Sequence, residues 1–121
     1  MLDKSTVFAT IAVSDIAKGK EFYGGTLGLT QTDENMGGVT YTCGTGKLFV
    51  YQSPTAGKGE ATCAAWDVDD VEAAVAELKD KGITFEHYDF PGGTREGDIH
   101  ILGEMKAAWF KDPDGNILSV G

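Results

Sequence analysis

The chain contains the same succession of elements twice. Residues 13–16 (Val-Ser-Asp-Ile) correspond to residues 68–71 (Val-Asp-Asp-Val), and Gly28-Leu29 corresponds to Gly82-Ile83. A third correspondence joins residues 46–48 (Gly-Lys-Leu) to residues 115–117 (Gly-Asn-Ile). Each half is predicted to form a strand, a helix and three strands, a unit that cannot bury its sheet face alone. We therefore predict an α+β fold of two tandem βαβββ modules that curl around a shared cleft.

Each predicted helix follows a strand and begins at an acidic residue. The run from Val7 to Val13 predicts the first strand, after which Ser14 or Asp15 caps the first helix. Gly19 disfavours that helix by about 1 kcal/mol relative to alanine. The second helix has one apolar face and a capping-box spacing before it, so it is the clearer of the two. Its apolar residues are Val71, Ala74, Val75 and Leu78.

Two β-hairpins are predicted, one in each half. The first pairs Val39–Cys43 with Leu48–Tyr51, around a turn at residues 44–46 (Gly-Thr-Gly). The second pairs Ala107–Phe110 with Ile117–Val120, around residues 112–115 (Asp-Pro-Asp-Gly). Proline fixes φ in such a turn and glycine supplies a positive φ.

The length of 121 residues fits one compact domain over residues 1–121. Within it we expect a first module at about 1–53, a linker at 54–60 and a second module at about 61–121. The segment from Phe90 to Glu104 is polar and rich in glycine, so we expect a long loop there. Long loops in compact domains are often functional.

The net charge of −9 disfavours nucleic acid and anionic membranes as partners. The charge is compatible with a cationic small molecule, and equally with an acidity that only maintains solubility. No apolar run approaches the roughly 20 residues that a membrane span needs, and no signal peptide is visible. A cytoplasmic location is therefore expected, with Cys43 and Cys63 reduced.

Three segments together resemble the vicinal oxygen chelate superfamily, which includes glyoxalase I, bleomycin-resistance proteins and extradiol dioxygenases. The segments are AVSDIAKGKEFYGGTLGL, WDVDDVEAAVAELKDKGI and KAAWFKDPDGNILSV. The resemblance covers essentially the whole chain. It implies a half-open, curved sheet of eight strands with the helices outside, and it implies a homodimer. In the metal-dependent members, each half supplies two metal ligands from its first and last strands.

The resemblance places those four ligand positions on residues that do not form a metal site. The first-strand positions fall on Phe8 and Cys63, and the last-strand positions fall on Val50 and Ser119. Phenylalanine and valine cannot ligate a metal, serine is a poor ligand for a divalent ion, and one cysteine is insufficient. We therefore expect no metal and no other cofactor.

Three residues are weak candidates for catalysis without a metal: His100, Cys63 and Glu104. His100 suits general acid or base chemistry, or a ligand contact, but it is equally an ordinary loop residue. Cys63 as a nucleophile would need a nearby base. His87 lies beside Glu86 and Asp89 in the sequence, which allows a metal site as one interpretation. The favoured interpretation is that His87 is a half-exposed strand residue.

Aromatic residues on the predicted strands give the stronger indication of function. Side chains on a strand alternate between its two faces, so only about half of them can point into a cleft. An aromatic cleft suits a planar, apolar or cationic molecule, although plain core packing would use the same residues. The aromatic strand residues are Phe8, Tyr41, Tyr51, Trp66 and Trp109. The predicted ligand-binding residues are Phe8, Tyr41, Val50, Cys63, Trp109 and Ser119.

Three functional hypotheses follow. The first is a metal-independent protein that binds a small apolar or cationic molecule in its cleft, resembling bleomycin-resistance proteins. The second is a lyase or isomerase of the glyoxalase type, resembling lactoylglutathione lyase, that uses acid and base residues instead of a metal. The third is an accessory module whose cleft is filled by its own side chains.

Overall fold

The computed structural model describes residues 1–121, which divide into two compact units, Met1–Lys58 and Gly59–Gly121. The division falls within the linker predicted at 54–60. That the two modules form a single domain stays a prediction.

The first unit is a four-stranded sheet with one helix. Its strand order is β1-β4-β3-β2, with β1 parallel to β4 and the other neighbours antiparallel. A short 3-10 helix at Leu2–Lys4 precedes β1, and a π-helix at Glu21–Thr26 continues α1. The remaining elements are β1 (Ala9–Val13), α1 (Ile16–Lys20), β2 (Thr30–Asn35), β3 (Gly38–Cys43) and β4 (Gly46–Gln52).

Helix α1 starts at Asp15 and lies close against the sheet. The Asp15 carboxylate accepts a hydrogen bond from the Ala17 backbone N–H at 2.8 Å, so Asp15 is the cap and not Ser14, the other predicted candidate. A Cβ atom on Gly19 would lie 3.2 Å from Val13 and 3.4 Å from Val50. The missing side chain of Gly19 therefore allows the helix to approach β1 and β4, which explains a glycine at a position where helix propensity is lost.

The second unit is a six-stranded sheet that also packs one helix. Its order is β5-β10-β9-β8-β7, and β6 pairs with the other end of β9. Strands β5 and β10 are parallel. The elements are β5 (Thr62–Trp66), α2 (Val71–Asp80), β6 (Phe85–Glu86), β7 (Thr94–Glu96), β8 (Ile99–Leu102), β9 (Met105–Lys111) and β10 (Ile117–Val120). Asp70 caps α2 by accepting a hydrogen bond from the Ala73 N–H at 3.0 Å.

The α+β class, both helices and both predicted hairpins are confirmed. The expected number of eight strands is wrong, because the structure has ten. The difference lies in the segment from Phe90 to Glu104, where β7 and β8 form a hairpin instead of the expected loop. The isoleucines of β8 anchor this hairpin, since Ile99 is buried and Ile101 is half-buried.

The turn between β9 and β10 is held by one buried carboxylate. Asp112 Oδ1 accepts hydrogen bonds from the backbone N–H groups of Asp114, at 3.0 Å, and Asn116, at 2.9 Å. Asp112 Oδ2 accepts a further bond from Asn116 Nδ2 at 2.8 Å. Gly115 has a φ of 94°, as the sequence predicts.

None of the helices combines the length and the apolar character required to cross a bilayer.

Candidate functional site

Two aromatic rings stack on the face of the first sheet that lies opposite α1. Along β4, Leu48 and Val50 are buried, whereas Phe49 and Tyr51 point to the other face and are half-buried. The Phe49 and Tyr51 rings lie nearly parallel, with centroids 6.1 Å apart and 14° between their planes. Stacked, partly exposed rings offer a planar molecule an apolar contact surface.

Threonines flank this ring pair on the neighbouring strands. The register places Thr10 of β1 and Thr40 of β3 on either side of Phe49. We call Thr10, Thr40, Phe49 and Tyr51 the first-unit aromatic face. Hydroxyls beside an aromatic surface can orient a ligand that carries polar atoms.

The turn between β2 and β3 positions the Phe49 ring. Asn35 Oδ1 accepts hydrogen bonds from the N–H groups of Gly37, at 2.7 Å, and Gly38, at 3.2 Å. A Cβ atom on Gly38 would lie 2.8 Å from Phe49 Cζ and 2.3 Å from the Val50 carbonyl oxygen. The Phe49 ring therefore occupies space that only a glycine leaves open.

We expect Gly38→Ala to destabilise the protein by about 2 kcal/mol, because the new methyl group collides with backbone as well as with a ring. Urea denaturation followed by circular dichroism measures the change. Gly59→Ala is the matched control, since a Cβ atom at Gly59 meets nothing within 4 Å. A Gly38 variant as stable as the Gly59 variant would contradict the described position of Phe49.

Charges near the first-unit aromatic face have both signs. Asp33 pairs with Thr40, and Lys47 pairs with Thr42, so both side chains belong to the same side of the sheet as Phe49. One acid and one base nearly cancel at a distance. The face therefore selects by shape and apolar contact more than by charge.

The structure buries two of the predicted ligand-binding residues in the core of the first unit. Tyr41 and Val50 are each 1% exposed, on the face of the sheet that α1 covers. Burial also raises the pKa of the Tyr41 hydroxyl. Neither side chain offers a surface to a ligand in this structure. Phe8 precedes β1 and is 51% exposed.

Strand pairing in the two units does not support the predicted equivalence of Val50 and Ser119. Both helix caps, Asp15 and Asp70, are 55 positions apart, so Thr10 corresponds to Ala65. Thr10 pairs with Phe49, whereas Ala65 pairs with Ser119. Phe49, and not Val50, therefore occupies the place in the first unit that Ser119 occupies in the second.

Trp109 and Ser119 lie together in the second unit. The register pairs them directly across β9 and β10. Ser119 is 7% exposed, and Trp109 is half-buried. Trp109 Nε1 donates a hydrogen bond to Thr62 Oγ1 at 3.0 Å, which fixes the indole across the sheet.

The three candidate catalytic residues are not brought together. Cys63 lies on β5 and His100 on β8, three strand spacings apart in the sheet, or about 14 Å. Glu104 is exposed in the turn between β8 and β9. Partial burial of the thiol raises the pKa of Cys63, and its Sγ donates to the Ile117 carbonyl oxygen at 3.3 Å. Such a thiol is a poor nucleophile at neutral pH.

His87 contacts a carboxylate that the sequence did not indicate. Its Nε2 lies 2.7 Å from Asp98 Oδ1, and Lys79 Nζ lies 2.8 Å from Asp98 Oδ2. These bonds, first that from Lys79 and then that from His87, lower the pKa of Asp98 below its ordinary 3.8. Asp98 lies in the turn between β7 and β8. It thus links this hairpin to Lys79 of α2 and to His87, which follows β6.

We expect Asp98→Asn to lower the free energy of unfolding by about 1 kcal/mol at neutral pH, since the partners are partly exposed. A depressed carboxyl pKa stabilises the fold above pH 3.8 and loses that effect as the pH falls through the folded-state value. The difference between parent and variant should therefore shrink in acid. Urea denaturation at neutral and acidic pH measures it, with Glu104→Gln as the control. A difference that grows in acid would contradict this account.

The structure contains no group of three or more His, Cys, Asp or Glu side chains that could hold a metal ion. The residues aligned across the strand pairs are Thr10 with Phe49 and Ala65 with Ser119. These residues, with Phe8 and Cys63, do not fit a divalent cation, which requires several nitrogen, sulfur or carboxylate ligands.

A separate surface pocket of about 410 Å³ lies beside the turn between β2 and β3. Glu34 is the one charged residue in its lining, together with uncharged residues such as Met36 and Gln52. Lys20 Nζ lies 2.7 Å from the Glu34 carboxylate and lowers its pKa. The pocket therefore presents neither an aromatic surface nor an uncompensated charge.

Comparison with known proteins gives a family match over nearly the full length. The model of the glyoxalase/bleomycin resistance protein/dioxygenase superfamily matches residues 6–120. No curated protein matches the chain.

Solved structures with this fold are also similar to the chain. A glyoxalase/bleomycin resistance protein from Streptomyces sp. CB03234 is 25% identical, with a TM-score of 0.68, over 97% of this chain and 99% of that one. SMU.1112c is 26% identical, with a TM-score of 0.71, over 97% of each chain. TnmS3, an antibiotic binding protein from Streptomyces sp. CB03234, is 24% identical, with a TM-score of 0.72, over 100% of this chain and 97% of that one.

Proposed function

The chain belongs to the glyoxalase/bleomycin resistance protein/dioxygenase superfamily, and we propose that it binds a small planar, apolar or cationic molecule without a metal ion. The observation that carries this proposal is the stacked Phe49–Tyr51 pair, half-buried on the side of the sheet opposite α1. Phe49 stands where a metal-dependent member would need a ligand.

Three further observations support binding in preference to catalysis. The candidate catalytic residues His100, Cys63 and Glu104 lie apart, and the Cys63 thiol has a raised pKa. The first-unit aromatic face has hydroxyls beside its rings. No observation favours a lyase or isomerase of the glyoxalase type, so we do not propose one. Homodimer formation and a cytoplasmic location stay predictions.

The experiment is a titration by isothermal calorimetry in buffer containing EDTA. Acridine and 9-aminoacridine are matched probes, because they share a planar shape and differ in charge at mildly alkaline pH. Because TnmS3 is an antibiotic binding protein, planar antibiotics are added to the panel. We expect saturable binding of one or more planar probes, with an affinity that EDTA does not change.

Two results would contradict the proposal. One is a lack of binding by every planar probe, and the other is binding that appears only when a divalent metal is restored. The ratio of the affinities for 9-aminoacridine and acridine reports which charge, that of Asp33 or that of Lys47, has the larger electrostatic effect on a ligand at this face. Because the two charges oppose each other, we expect a ratio within about threefold.

A further inference from the structure

Four aromatic rings of the second unit contact one another and form a cluster. His100 lies 5.1 Å from Trp109 and Phe90 lies 5.3 Å from Trp109, measured between ring centroids. Tyr88 lies 5.8 Å from Trp109 and 6.0 Å from His100. We call these four residues the second-unit cluster. The sequence did not indicate Tyr88 or Phe90, which lie between β6 and β7 and meet the others only through the fold.

One hydrogen bond fixes the tautomer of His100. The Tyr88 backbone N–H donates to His100 Nε2 at 2.8 Å, so Nε2 carries the lone pair. The proton of the neutral ring is therefore on Nδ1. His100 is 1% exposed, and its Nδ1 is buried with no hydrogen-bond partner. The ring thus presents a fixed donor inside the second-unit cluster.

A second polar atom of the same cluster is also buried without a partner, the Tyr88 hydroxyl. A buried polar group that makes no hydrogen bond costs about 1–3 kcal/mol, and native proteins contain few of them. Two such atoms on contacting rings are available to a molecule with hydrogen-bonding atoms of its own.

The chemistry of the cluster defines that molecule. Nδ1–H requires an acceptor, and the Tyr88 hydroxyl can donate or accept. The Trp109 ring, which Phe90 covers in this structure, offers a surface for a flat, apolar body. The charges that the register sets beside the cluster have both signs, since Arg95 pairs with His100 and Glu86 pairs with Trp109. These opposite charges favour neither a cation nor an anion, so the cluster suits an uncharged ligand.

We propose that the second-unit cluster is a binding site for an uncharged, planar carbonyl compound, whose oxygen accepts a hydrogen bond from His100 Nδ1. The compound packs against Trp109 in place of the Phe90 ring. Phe90 lies outside the regular strands, and its backbone is held by the turn in which Gly93 N–H donates to the Phe90 carbonyl at 3.0 Å. The inference goes beyond the proposed function, which is argued from Phe49 and Tyr51.

Coumarin and naphthalene are the probes, because both are flat bicyclic molecules and only coumarin carries a carbonyl. Calorimetric titration of the full chain should give coumarin an affinity at least about tenfold higher than naphthalene, since the carbonyl satisfies a buried donor. In spectra of ¹⁵N-labelled protein, the His100 Nδ1–H proton should move downfield on addition of coumarin, because a hydrogen bond forms, and should not move downfield with naphthalene.

Two tyrosine variants separate this site from general stabilisation. Tyr88→Phe should weaken coumarin binding about threefold to tenfold and leave naphthalene binding unchanged. Tyr41→Phe is the matched control, because its hydroxyl is also buried without a partner but belongs to the core of the first unit. Tyr41→Phe should change neither affinity.

Three results would overturn this inference: no binding of coumarin, equal affinities for the two probes, or a Tyr88→Phe variant that binds coumarin like the parent. Acridine binding that persists in any of these cases leaves the proposed function intact. Coumarin binding that shifts the His100 resonance, while no planar probe perturbs Phe49 or Tyr51, would leave this inference intact and contradict the proposed role of the first-unit aromatic face.

Discussion

Asp112→Ala should lower the free energy of unfolding by about 3 kcal/mol. The Asp112 side chain is 5% exposed and accepts hydrogen bonds from the backbone and side chain of Asn116 and from the backbone of Asp114. Alanine removes all of these acceptors at once inside a buried turn, and hydrogen bonds to a charged group contribute more than neutral ones. Urea denaturation at neutral pH measures the loss.

The control for this prediction is Asp112→Asn, which retains one side-chain oxygen and the shape of the carboxylate. We expect it to lose about half as much stability as the alanine variant. Because the turn sets the register between β9 and β10, the alanine variant should also move Trp109, and tryptophan fluorescence should report that shift. An alanine variant within about 0.5 kcal/mol of the parent would show that the turn forms without this carboxylate.

Tyr51→Ala should weaken the binding of planar probes by about tenfold or more. The tyrosine ring is one of the two stacked rings of the first-unit aromatic face, and removing it takes away half of the apolar contact surface. Tyr51 is half-buried, so the fold should lose no more than about 1 kcal/mol. Calorimetric titration with 9-aminoacridine measures the affinity.

Tyr51→Phe separates the ring from its hydroxyl. This variant keeps the stacking surface, so its affinity should remain within about twofold of the parent. If the alanine variant binds as tightly as the parent, Phe49 and Tyr51 do not form the binding site. A phenylalanine variant as weak as the alanine variant would assign the contact to the hydroxyl instead of the ring.

Local signals in the sequence were sufficient for the elements themselves. Ser14-Asp15 and Asp69-Asp70 predicted both helix starts, because a polar side chain before an apolar run caps exposed N–H groups. The structure selects Asp15 and Asp70 as the caps. Residues 112–115 predicted the second hairpin because proline and glycine restrict the backbone in a known way. Each of these signals acts within a few residues and does not depend on the rest of the fold.

The face of β4 could not be predicted from the sequence, since residues 48–51 (Leu-Phe-Val-Tyr) are all apolar and show no alternation. An alignment of Gly46 with Gly115 equates Val50 with Ser119, one residue away from the equivalence that the strand register gives. Gly46 lies within β4 and pairs with Cys43, whereas Gly115 lies in the longer turn before β10. The two turns differ in length, so equivalent glycines do not mark equivalent strand positions.

The second-unit cluster could not be predicted from the sequence either, for a different reason. The sequence predicts His100 as a candidate residue, but its partner is the backbone N–H of Tyr88, which is 12 residues away. Strand β7 has three exposed residues and no apolar alternation, so the hairpin that places His100 had no local signal. Contacts made across a sheet depend on register, and register depends on the whole unit.

The most direct test of the central claim is a chemical-shift titration of uniformly labelled protein with 9-aminoacridine in EDTA. We predict the largest chemical-shift perturbations at the aromatic resonances of Phe49 and Tyr51, and at the amides of Thr10 and Thr40. Perturbations confined to the pocket around Met36 and Gln52, or none at saturating probe, would contradict a metal-independent binding site on this face.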